Sequence, residues 1–446
     1  MSKKRYVQVG VGGRSKMYRE ALGSTYADTA VLTALCDNNR GRLELAGKEE
    51  KEQRGADMAL YDAADFDRMI EEQRPDCVVV TSMDRTHADY ICRAMELGCD
   101  AITEKPMTID AERCQRIVDV QRETGKRCRV TFNYRYSPVR TQVKELLMSG
   151  VIGDVNAVTF EWMLDTSHGA DYFRRWHRNK VNSGGLLVHK ATHHFDLVNW
   201  WLASVPERVY ANGRRSFYLP STADRMGLEG RSERCQTCPA AERCKFFMDM
   251  RQYSEMKALY MDCESYDDYY RDRCVFSDQI DIEDSMQAVV EYRNGVRMAY
   301  ALNAFCPEEG YVISFHGSKG MLEHRCIERT YINADGTTPG VSAEGTHVQI
   351  VPHHAPGYEV EVWQSEGGHG GGDPVLLDDL FGTTPLQDKY MRAADQRGGA
   401  WSILTGIAAN RSIATGQPVR VPDLVSGLEL PDYPDRVEDG ALATVT

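Results

Sequence analysis

Three histidines, a lysine and an aspartate lie within eight positions of an otherwise apolar stretch of the chain, residues 183–201. If this stretch is one helix, His189, His193 and Asp196 take positions i, i+4 and i+7 and share a face. Burying so many titratable groups costs free energy unless they are paired or used. A histidine, with an ordinary pKa near ~6.5, suits a base that removes a hydroxyl proton. We interpret the cluster as a candidate site of proton transfer. For any one histidine, a hydrogen-bonded place inside a helix is the alternative.

A glycine turn near the start of the chain points to a nucleotide. Residues 5–13 predict a short buried strand that runs into Gly10-Val-Gly12-Gly13, with a helix following over about residues 14–22. Gly10 permits the tight turn, and Gly12 lets a pyrophosphate approach the backbone at a helix N-terminus. The third glycine of the dinucleotide fingerprint is missing, because Ser15 stands there. Such strings are also common in ordinary turns, so the flanking strand and helix carry this prediction.

Asp37 governs the predicted choice of cofactor. A second strand over residues 30–36 ends at this residue. A carboxylate there accepts both ribose hydroxyls and repels a 2′-phosphate. We therefore expect NAD to bind in preference to NADP. Arg14 and Arg40 lie nearby in the sequence and would soften that preference.

The alternation of strands and helices continues, as in a doubly wound α/β domain. Strands are predicted over residues 76–81, 100–103 and 127–132, and a helix over residues 86–97. Ligands gather at the carboxyl ends of the strands in such sheets. Lys105, in Glu104-Lys105-Pro106, follows one of these strands and is a candidate for contact with a ligand. A surface lysine before a proline turn is the alternative.

The composition limits the class of protein. A chain of 446 residues suits two domains, and 42% hydrophobic residues support full cores. The net charge of −13 argues against a general nucleic-acid binder and against binding to an anionic membrane surface. No run approaches the ~18–20 apolar residues that span a bilayer. The N-terminus lacks a hydrophobic signal region, so we expect a cytoplasmic protein whose thirteen cysteines are mostly thiols.

The second half of the chain predicts a strand-rich domain. Alternating apolar residues flank Asn294-Gly295, which is a signal for a type I′ hairpin. The predicted strands cover residues 284–292, 296–305, 310–316, 321–326 and 348–354. We expect one domain over residues 1–125 and a second over residues 126–446. The second carries a Cys-rich insertion at about 218–280, and its C-terminal helix, over about 391–415, packs back.

Together these motifs resemble the Gfo/Idh/MocA family of NAD(P)-dependent oxidoreductases, across nearly the whole chain outside the Cys-rich insertion. The markers that carry the resemblance are Gly10-Val-Gly-Gly13, Asp37, Thr81 with His87, Glu104-Lys105-Pro106, Phe132-Asn-Tyr-Arg-Tyr-Ser-Pro138, Gly184-Gly185 with His193 and Asp196, Gly317-Ser-Lys-Gly320, and Ala409 to Val419. The resemblance implies an α/β Rossmann domain, followed by an α/β (α+β) C-terminal domain with a large, mostly antiparallel open sheet. We also expect a homo-oligomer.

The resemblance implies roles for particular residues. Lys105 lies beside the nicotinamide and hydrogen-bonds the reacting hydroxyl, and His193 acts on the proton of that hydroxyl. Many members carry aspartate four positions before this histidine. His189 stands there in this chain, and Lys190 and His194 add further basic groups. This departure from the family's ordinary proton relay suggests a different substrate or a modified reaction. The residues expected to bind the cofactor are Gly10, Gly12, Gly13, Arg14, Ser15, Asp37, Asn38, Arg40, Thr81, His87, Glu104 and Lys105.

Aromatic and basic residues before the histidine cluster predict a sugar-binding surface. Trp176 and His177 combine aromatic faces with hydrogen-bonding groups, and Arg135 is a similar candidate, as are Lys190 and His194. A surface loop anchored by tryptophan is the alternative. Residues 366–373 are too glycine-rich for regular structure and predict a mobile loop that brings His369 to the substrate. A metal site made by His189, His193 and His369 is conceivable but has no diagnostic motif.

Five cysteines lie in the insertion. Cys235-x2-Cys238-x5-Cys244 is followed by Cys263 and Cys274. Cys235, Cys238, Cys244 and Cys263 are the candidate ligands of a structural zinc ion. Free thiols in a lid-like insertion are the alternative.

These observations predict an NAD-dependent enzyme that acts on a secondary hydroxyl of a sugar, polyol or glycoside. An alternative is an NAD-dependent glycoside hydrolase that oxidises C3 transiently, eliminates the aglycone, adds water and reduces again. A third is a nicotinamide-sensing regulatory protein without turnover. The expected partner is a small carbohydrate, with neither nucleic acid nor membrane.

Overall fold

The first sheet positions the glycine turn. The computed structural model describes residues 3–329, 345–363, 368–383 and 388–434. Six parallel strands lie in the order β6-β5-β4-β1-β2-β3. They are β1 (Lys4–Val9), β2 (Ala30–Asp37), β3 (Ala59–Asp62), β4 (Cys77–Val80), β5 (Asp100–Thr103) and β6 (Cys128–Val130). The helices between them are α1 (Ser15–Glu20), α2 (Arg40–Arg54), α3 (Phe66–Gln73), α4 (His87–Glu96) and α5 (Ala111–Thr124). All four residues of β4 are buried, as expected for a parallel strand covered on both faces.

A second, nine-stranded sheet forms the base of the other domain. In the order β14-β13-β12-β11-β7-β10-β9-β8-β16, each neighbouring pair is antiparallel except β7 with β10. The strands of this half are β7 (Val155–Asp165), β8 (Pro206–Arg214), β9 (Ser285–Tyr292), β10 (Arg297–Cys306), β11 (Glu309–Gly317), β12 (Gly320–Arg329), β13 (His347–Pro352), β14 (Tyr358–Val360), β15 (Ala394–Asp395) and β16 (Val419–Arg420). The short β15 instead pairs with β6, antiparallel, in the first sheet. The predicted fold class is confirmed.

Nine helices follow β6 in the part of the chain that the structure describes. They are α6 (Pro138–Met148), α7 (Thr166–Arg174), α8 (Lys180–Ser183), α9 (Leu186–His189), α10 (Ala191–Trp201), α11 (Pro220–Arg225), α12 (Ser254–Leu259), α13 (Gly368–Phe381) and α14 (Gln396–Thr415). Of these, α7 packs on β10 and α14 packs on β8 of the second sheet. The hairpin of β9 and β10 turns at Asn294-Gly295, as predicted, but the turn is not the predicted type I′, because only Gly295 has a positive φ, at +90°, and type I′ needs one at both central residues. Among the described residues, no helix is both long and apolar enough to cross a membrane.

The histidine segment is two helices rather than one. The helix α9 ends at His189 and α10 begins at Ala191, so Lys190 separates two of the histidines. Gly184 and Gly185, both at positive φ, set the entry of the chain into α9.

The C-terminal helix holds this segment in place. Asn410 on α14 donates a 2.6 Å hydrogen bond to the carbonyl of Gly184, and the Ser402 hydroxyl donates one of the same length to the carbonyl of Thr192. A Cβ atom at Gly406 would lie 2.0 Å from the carbonyl oxygen of Leu187, so only glycine allows this approach.

The glycine-rich residues near position 370 do not form the predicted loop. The helix α13 begins at Gly368, and a Cβ atom at Gly372 would lie 2.3 Å from the carbonyl oxygen of Asn133. The glycines therefore serve close packing of a helix against the segment after β6. The side chain of His369 lies outside the described part of the chain.

Candidate active site

One cavity of about 550 Å³ extends from the glycine turn to the histidine segment. Its walls come from both domains: the carboxyl ends of β1, β2, β4 and β5 supply one side, and α9 and α10 supply the other. This volume lies in the usual range of small-molecule sites. The residues that the cavity brings together include Gly10, Gly12, Gly13, Arg14, Asp37, Asn38, Thr81, Asp84, His87, Glu104, Lys105, Trp176, His177, His189, Lys190 and His193.

The glycine turn has the shape that a pyrophosphate needs. Gly10 has φ +88°, and a Cβ atom there would lie 2.5 Å from the backbone nitrogen of Ser82. A Cβ atom at Gly12 would meet nothing within 4 Å, so the backbone is open towards the cavity. The Ser15 hydroxyl donates a 2.6 Å hydrogen bond to the carbonyl of Gly12, and it does not line the cavity. This half of the cavity therefore fits a dinucleotide.

Asp37 lies at the carboxyl end of β2, where the ribose is expected. Its two oxygens accept hydrogen bonds from the backbone N–H groups of Val11 and Asn39, at 2.8 and 2.7 Å. Burial raises the pKa of Asp37, and the nearby Arg42 opposes that shift. Arg40 instead points to Glu44 at the surface and does not line the cavity. Arg42 was missed in the sequence, because its side chain reaches the cavity only from the first turn of α2.

Thr81, His87 and Glu104 stabilise the loops that follow β1, β4 and β5. The Thr81 hydroxyl donates a 2.6 Å hydrogen bond to the carbonyl of Gly10. His87 is held through Nδ1 at 2.8 Å from the Pro106 carbonyl and through Nε2 at 3.1 Å from that of Ser82. Glu104 accepts hydrogen bonds from Arg14 at 2.6 Å and from Tyr18 at 2.8 Å. The turn that carries Lys105 is therefore fixed on both sides.

Lys105 and His193 line the same cavity from opposite domains. Burial lowers the pKa of Lys105 to about 8; Glu104 opposes the shift and Lys190 adds to it. The ring of His193 stacks on that of Tyr134, with centroids 4.1 Å apart and planes 14° apart. The arrangement combines a lysine whose pKa is lowered by burial with an oriented imidazole.

His189 pairs with a residue that the sequence did not suggest. Its Nδ1 lies 2.5 Å from the Asp84 carboxylate, in the loop after β4. Burial raises the pKa of Asp84 and lowers the pKa of His189 well below its ordinary value. The nearby cations Lys105 and Arg175 push both pKa values down. The rule that ligands meet strand ends would have pointed to Asp84, because it follows β4.

The predicted substrate residues divide into two groups. Trp176, His177 and Lys190 line the cavity, and the rings of Trp176 and His177 stack with centroids 3.6 Å apart. Arg135 and His194 do not line it. The fully buried Arg135 forms a forked ion pair with Asp196, at 2.8 and 2.5 Å, and His194 Nδ1 lies 2.6 Å from the Tyr300 hydroxyl. Both side chains therefore stabilise the fold through buried contacts. The prediction that they bind the substrate is corrected accordingly.

The expected zinc site is not supported. Among the described residues no group of three or more His, Cys, Asp or Glu side chains is arranged to hold a metal ion. Cys235, Cys238 and Cys244 line a cavity of about 20 Å³ together with Cys274. Cys263 lies elsewhere, with its sulfur 3.3 Å from the carbonyl of Ala258.

Comparison with known proteins agrees with this geometry. Residues 4–132 match the model of an oxidoreductase family's NAD-binding Rossmann fold, and residues 144–421 match the model of that family's C-terminal alpha/beta domain. The chain belongs to the Gfo/Idh/MocA family of oxidoreductases. It is 35% identical over 430 residues to "Putative oxidoreductase YteT" of Bacillus subtilis, covering 94% of this chain and 98% of that protein.

Other Gfo/Idh/MocA relatives match over shorter regions. The chain is 26% identical to an inositol 2-dehydrogenase/D-chiro-inositol 3-dehydrogenase of Lactiplantibacillus plantarum, over 43% of this chain and 50% of that one. It is 27% identical to glycosyl hydrolase family 109 protein 1 of Akkermansia muciniphila, over 42% and 41%. These two alignments span half or less of the relatives. The fold matches that of the WlbA dehydrogenase from Bordetella pertussis, with a TM-score of 0.61, 19% identity, and coverage of 94% and 99%.

Proposed function

We propose that this protein is an NAD-dependent oxidoreductase that acts on a secondary hydroxyl of a sugar or polyol. The observation that carries the proposal is the position of Lys105 and His193 in one cavity with the open glycine turn. The inositol dehydrogenase among the relatives supports a polyhydroxylated substrate.

The chemistry needs three groups in one place. The glycine turn and Asp37 would hold NAD, which would supply the hydride acceptor when bound. Protonated Lys105 donates a hydrogen bond to the reacting oxygen and stabilises the negative charge that develops there. His193 accepts the hydroxyl proton as the general base. Trp176 offers an apolar face to the carbon skeleton, and the burial of His177 and Lys190 limits water around the reacting carbon.

A panel of polyols, free sugars and glycosides with NAD tests the proposal. We expect NADH to accumulate with at least one polyol or sugar, and we expect Lys105→Met to abolish it. Full activity of Lys105→Met on that substrate would contradict the assigned role.

A redox-neutral glycoside hydrolase is the second candidate, and the Asp84–His189 pair is the observation that favours it. Elimination of an aglycone requires an acid in addition to the group that serves the oxidised hydroxyl. His189 with Asp84 provides a second titratable pair in the cavity, and a relative is named as a glycosyl hydrolase. Release of aglycone without accumulation of NADH would favour this candidate over a net dehydrogenase.

A further inference from the structure

The insertion packs directly onto the nucleotide half of the cavity. The backbone N–H of Gly13 donates a 3.2 Å hydrogen bond to the Tyr260 hydroxyl, and the Asn39 amide donates a 2.9 Å bond to the carbonyl of Cys263. At the rim, Lys16 and Glu255 form an ion pair at 2.7 Å. Tyr260, Asp267 and Tyr269 line the cavity itself. The insertion therefore forms part of the wall of the nucleotide half of the cavity.

Arg42 lies within ion-pair distance of Asp37, and its closer ion-pair partner is a carboxylate of the insertion. The Arg42 guanidinium lies 3.8 Å from Asp37 and makes a much closer ion pair with Asp267. Both side chains of that pair are about nine-tenths buried and both line the cavity. An arginine beside the ribose is the group by which a Rossmann site accommodates a 2′-phosphate. In this chain that arginine already has a carboxylate partner supplied from 225 residues away.

We propose that Asp267 makes the nucleotide site select NAD over NADP by holding Arg42 in an ion pair. A 2′-phosphate would lie near the carboxylates of Asp37 and Asp267, while the charge of Arg42 is already neutralised by Asp267. The like charges of the phosphate and the carboxylates would repel each other. The ribose hydroxyls of NAD carry no charge and need only acceptors. The inference rests on the nucleotide site of the proposed function, although it is independent of the substrate.

Calorimetric binding of NAD and NADP to the full-length Asp267→Asn protein tests the proposal. Because the isosteric amide cannot neutralise Arg42, we expect NADP to bind about 10-fold or more tightly than to the unmutated chain, which is roughly 1.4 kcal/mol. Affinity for NAD should change by less than about 3-fold, because its uncharged ribose hydroxyls gain little from a freed guanidinium. Glu255→Gln is the matched control, since it also removes an insertion carboxylate, and it should leave the NADP/NAD ratio unchanged.

Arg42 variants keep the test decisive. In Arg42→Gln/Asp267→Asn the gain in NADP affinity should disappear, because the freed guanidinium is its source. In Arg42→Gln alone, NADP binding should weaken by less than about 2-fold, because the native Arg42 is already paired with Asp267 and contributes little to binding a phosphate. An unchanged NADP/NAD ratio in Asp267→Asn, or a tenfold loss of NADP binding in Arg42→Gln alone, would overturn the proposal. Failure of the proposed function is a different result: no turnover on any hydroxyl substrate, with nucleotide binding intact.

Discussion

The Asp84 carboxylate and the His189 imidazole are joined by a 2.5 Å hydrogen bond between residues that are 105 positions apart. Asp84 follows β4 of the first sheet, and His189 ends α9 above the second. This hydrogen bond therefore joins the two domains at the cavity. A carboxylate on Nδ1 fixes the tautomer of a histidine and leaves Nε2 to act. Many family members are expected to carry an aspartate four positions before the histidine that corresponds to His193; in this chain His189 stands there, and it contacts the Asp84 carboxylate.

Asp84→Asn tests this relationship. The substitution keeps the shape and removes the charge, so we expect kcat to fall by about 10–100-fold with NAD affinity little changed. His189→Ala added to Asp84→Asn should cost little more than either change alone, because residues that act as a unit are not additive. Independent, additive losses in this cycle would show that the pair does not function together.

His189→Ala also distinguishes the two candidate functions. An acid for a leaving group is needed most when the aglycone is a poor leaving group. If the protein is a hydrolase, the variant should lose activity selectively on an alkyl glycoside and retain it on a nitrophenyl glycoside. Equal losses on both would assign His189 to relay of the hydroxyl proton.

The pH dependence of kcat should report Lys105. Its pKa of about 8 lies below that of an ordinary lysine because of burial. The ammonium form predominates below that pH, so alkoxide stabilisation should weaken as the pH rises through about 8. Lys105→Arg keeps the charge and should remove this alkaline limb, at a lower overall rate. A kcat that instead increases through pH 8 would mean that Lys105 acts as a base.

His193→Ala should lower kcat by about 10²–10⁴-fold, the effect of losing a general base. Binding of NAD, measured by calorimetry, should change little, because His193 lies on the substrate side of the cavity. His194→Phe is the neighbouring control. That variant loses a hydrogen bond to Tyr300 and should lower stability by about 1–3 kcal/mol, with kcat within about 10-fold. Near-normal turnover of His193→Ala would contradict its assignment as the base.

Arg135 should matter for stability rather than for substrate binding. Arg135→Met leaves Asp196 buried without its partner, so the free energy of unfolding should fall by about 3–5 kcal/mol. Arg135→Met/Asp196→Leu should recover much of that loss. Denaturant titration measures both. If instead KM rises with unchanged stability, Arg135 contacts the substrate after all.

Local sequence signals predicted the parts of the fold that local chemistry determines. The glycine turn, the strand that ends at Asp37 and the Asn294-Gly295 hairpin each depend on neighbours within a few residues, and each is present. The resemblance to the family placed Lys105 and His193, and the cavity contains both. Their catalytic roles remain predictions.

Contacts between segments that are distant in the chain could not be predicted from the sequence. The pairing of Asp84 with His189 and of Arg42 with Asp267 depends on how the domains and the insertion meet. The pairing of Arg135 with Asp196 depends on how α10 packs against the segment after β6. The glycine-rich residues 366–373 were expected to be a loop because glycine disfavours helices in isolation. Residues 368–373 are instead in α13, where the packing of Gly372 against Asn133 outweighs that intrinsic preference.

The approach of Gly406 to the carbonyl of Leu187 has a consequence for biosynthesis. The histidine segment rests on α14, which is synthesised about two hundred residues after that segment. The glycine turn and Asp37 belong to the first forty residues, and N-terminal domains generally fold first during synthesis. The glycine turn and Asp37 are therefore synthesised before the insertion that lines the nucleotide half of the cavity and before the helix that supports His193. We expect a chain truncated before residue 396 to lack the support of the histidine segment.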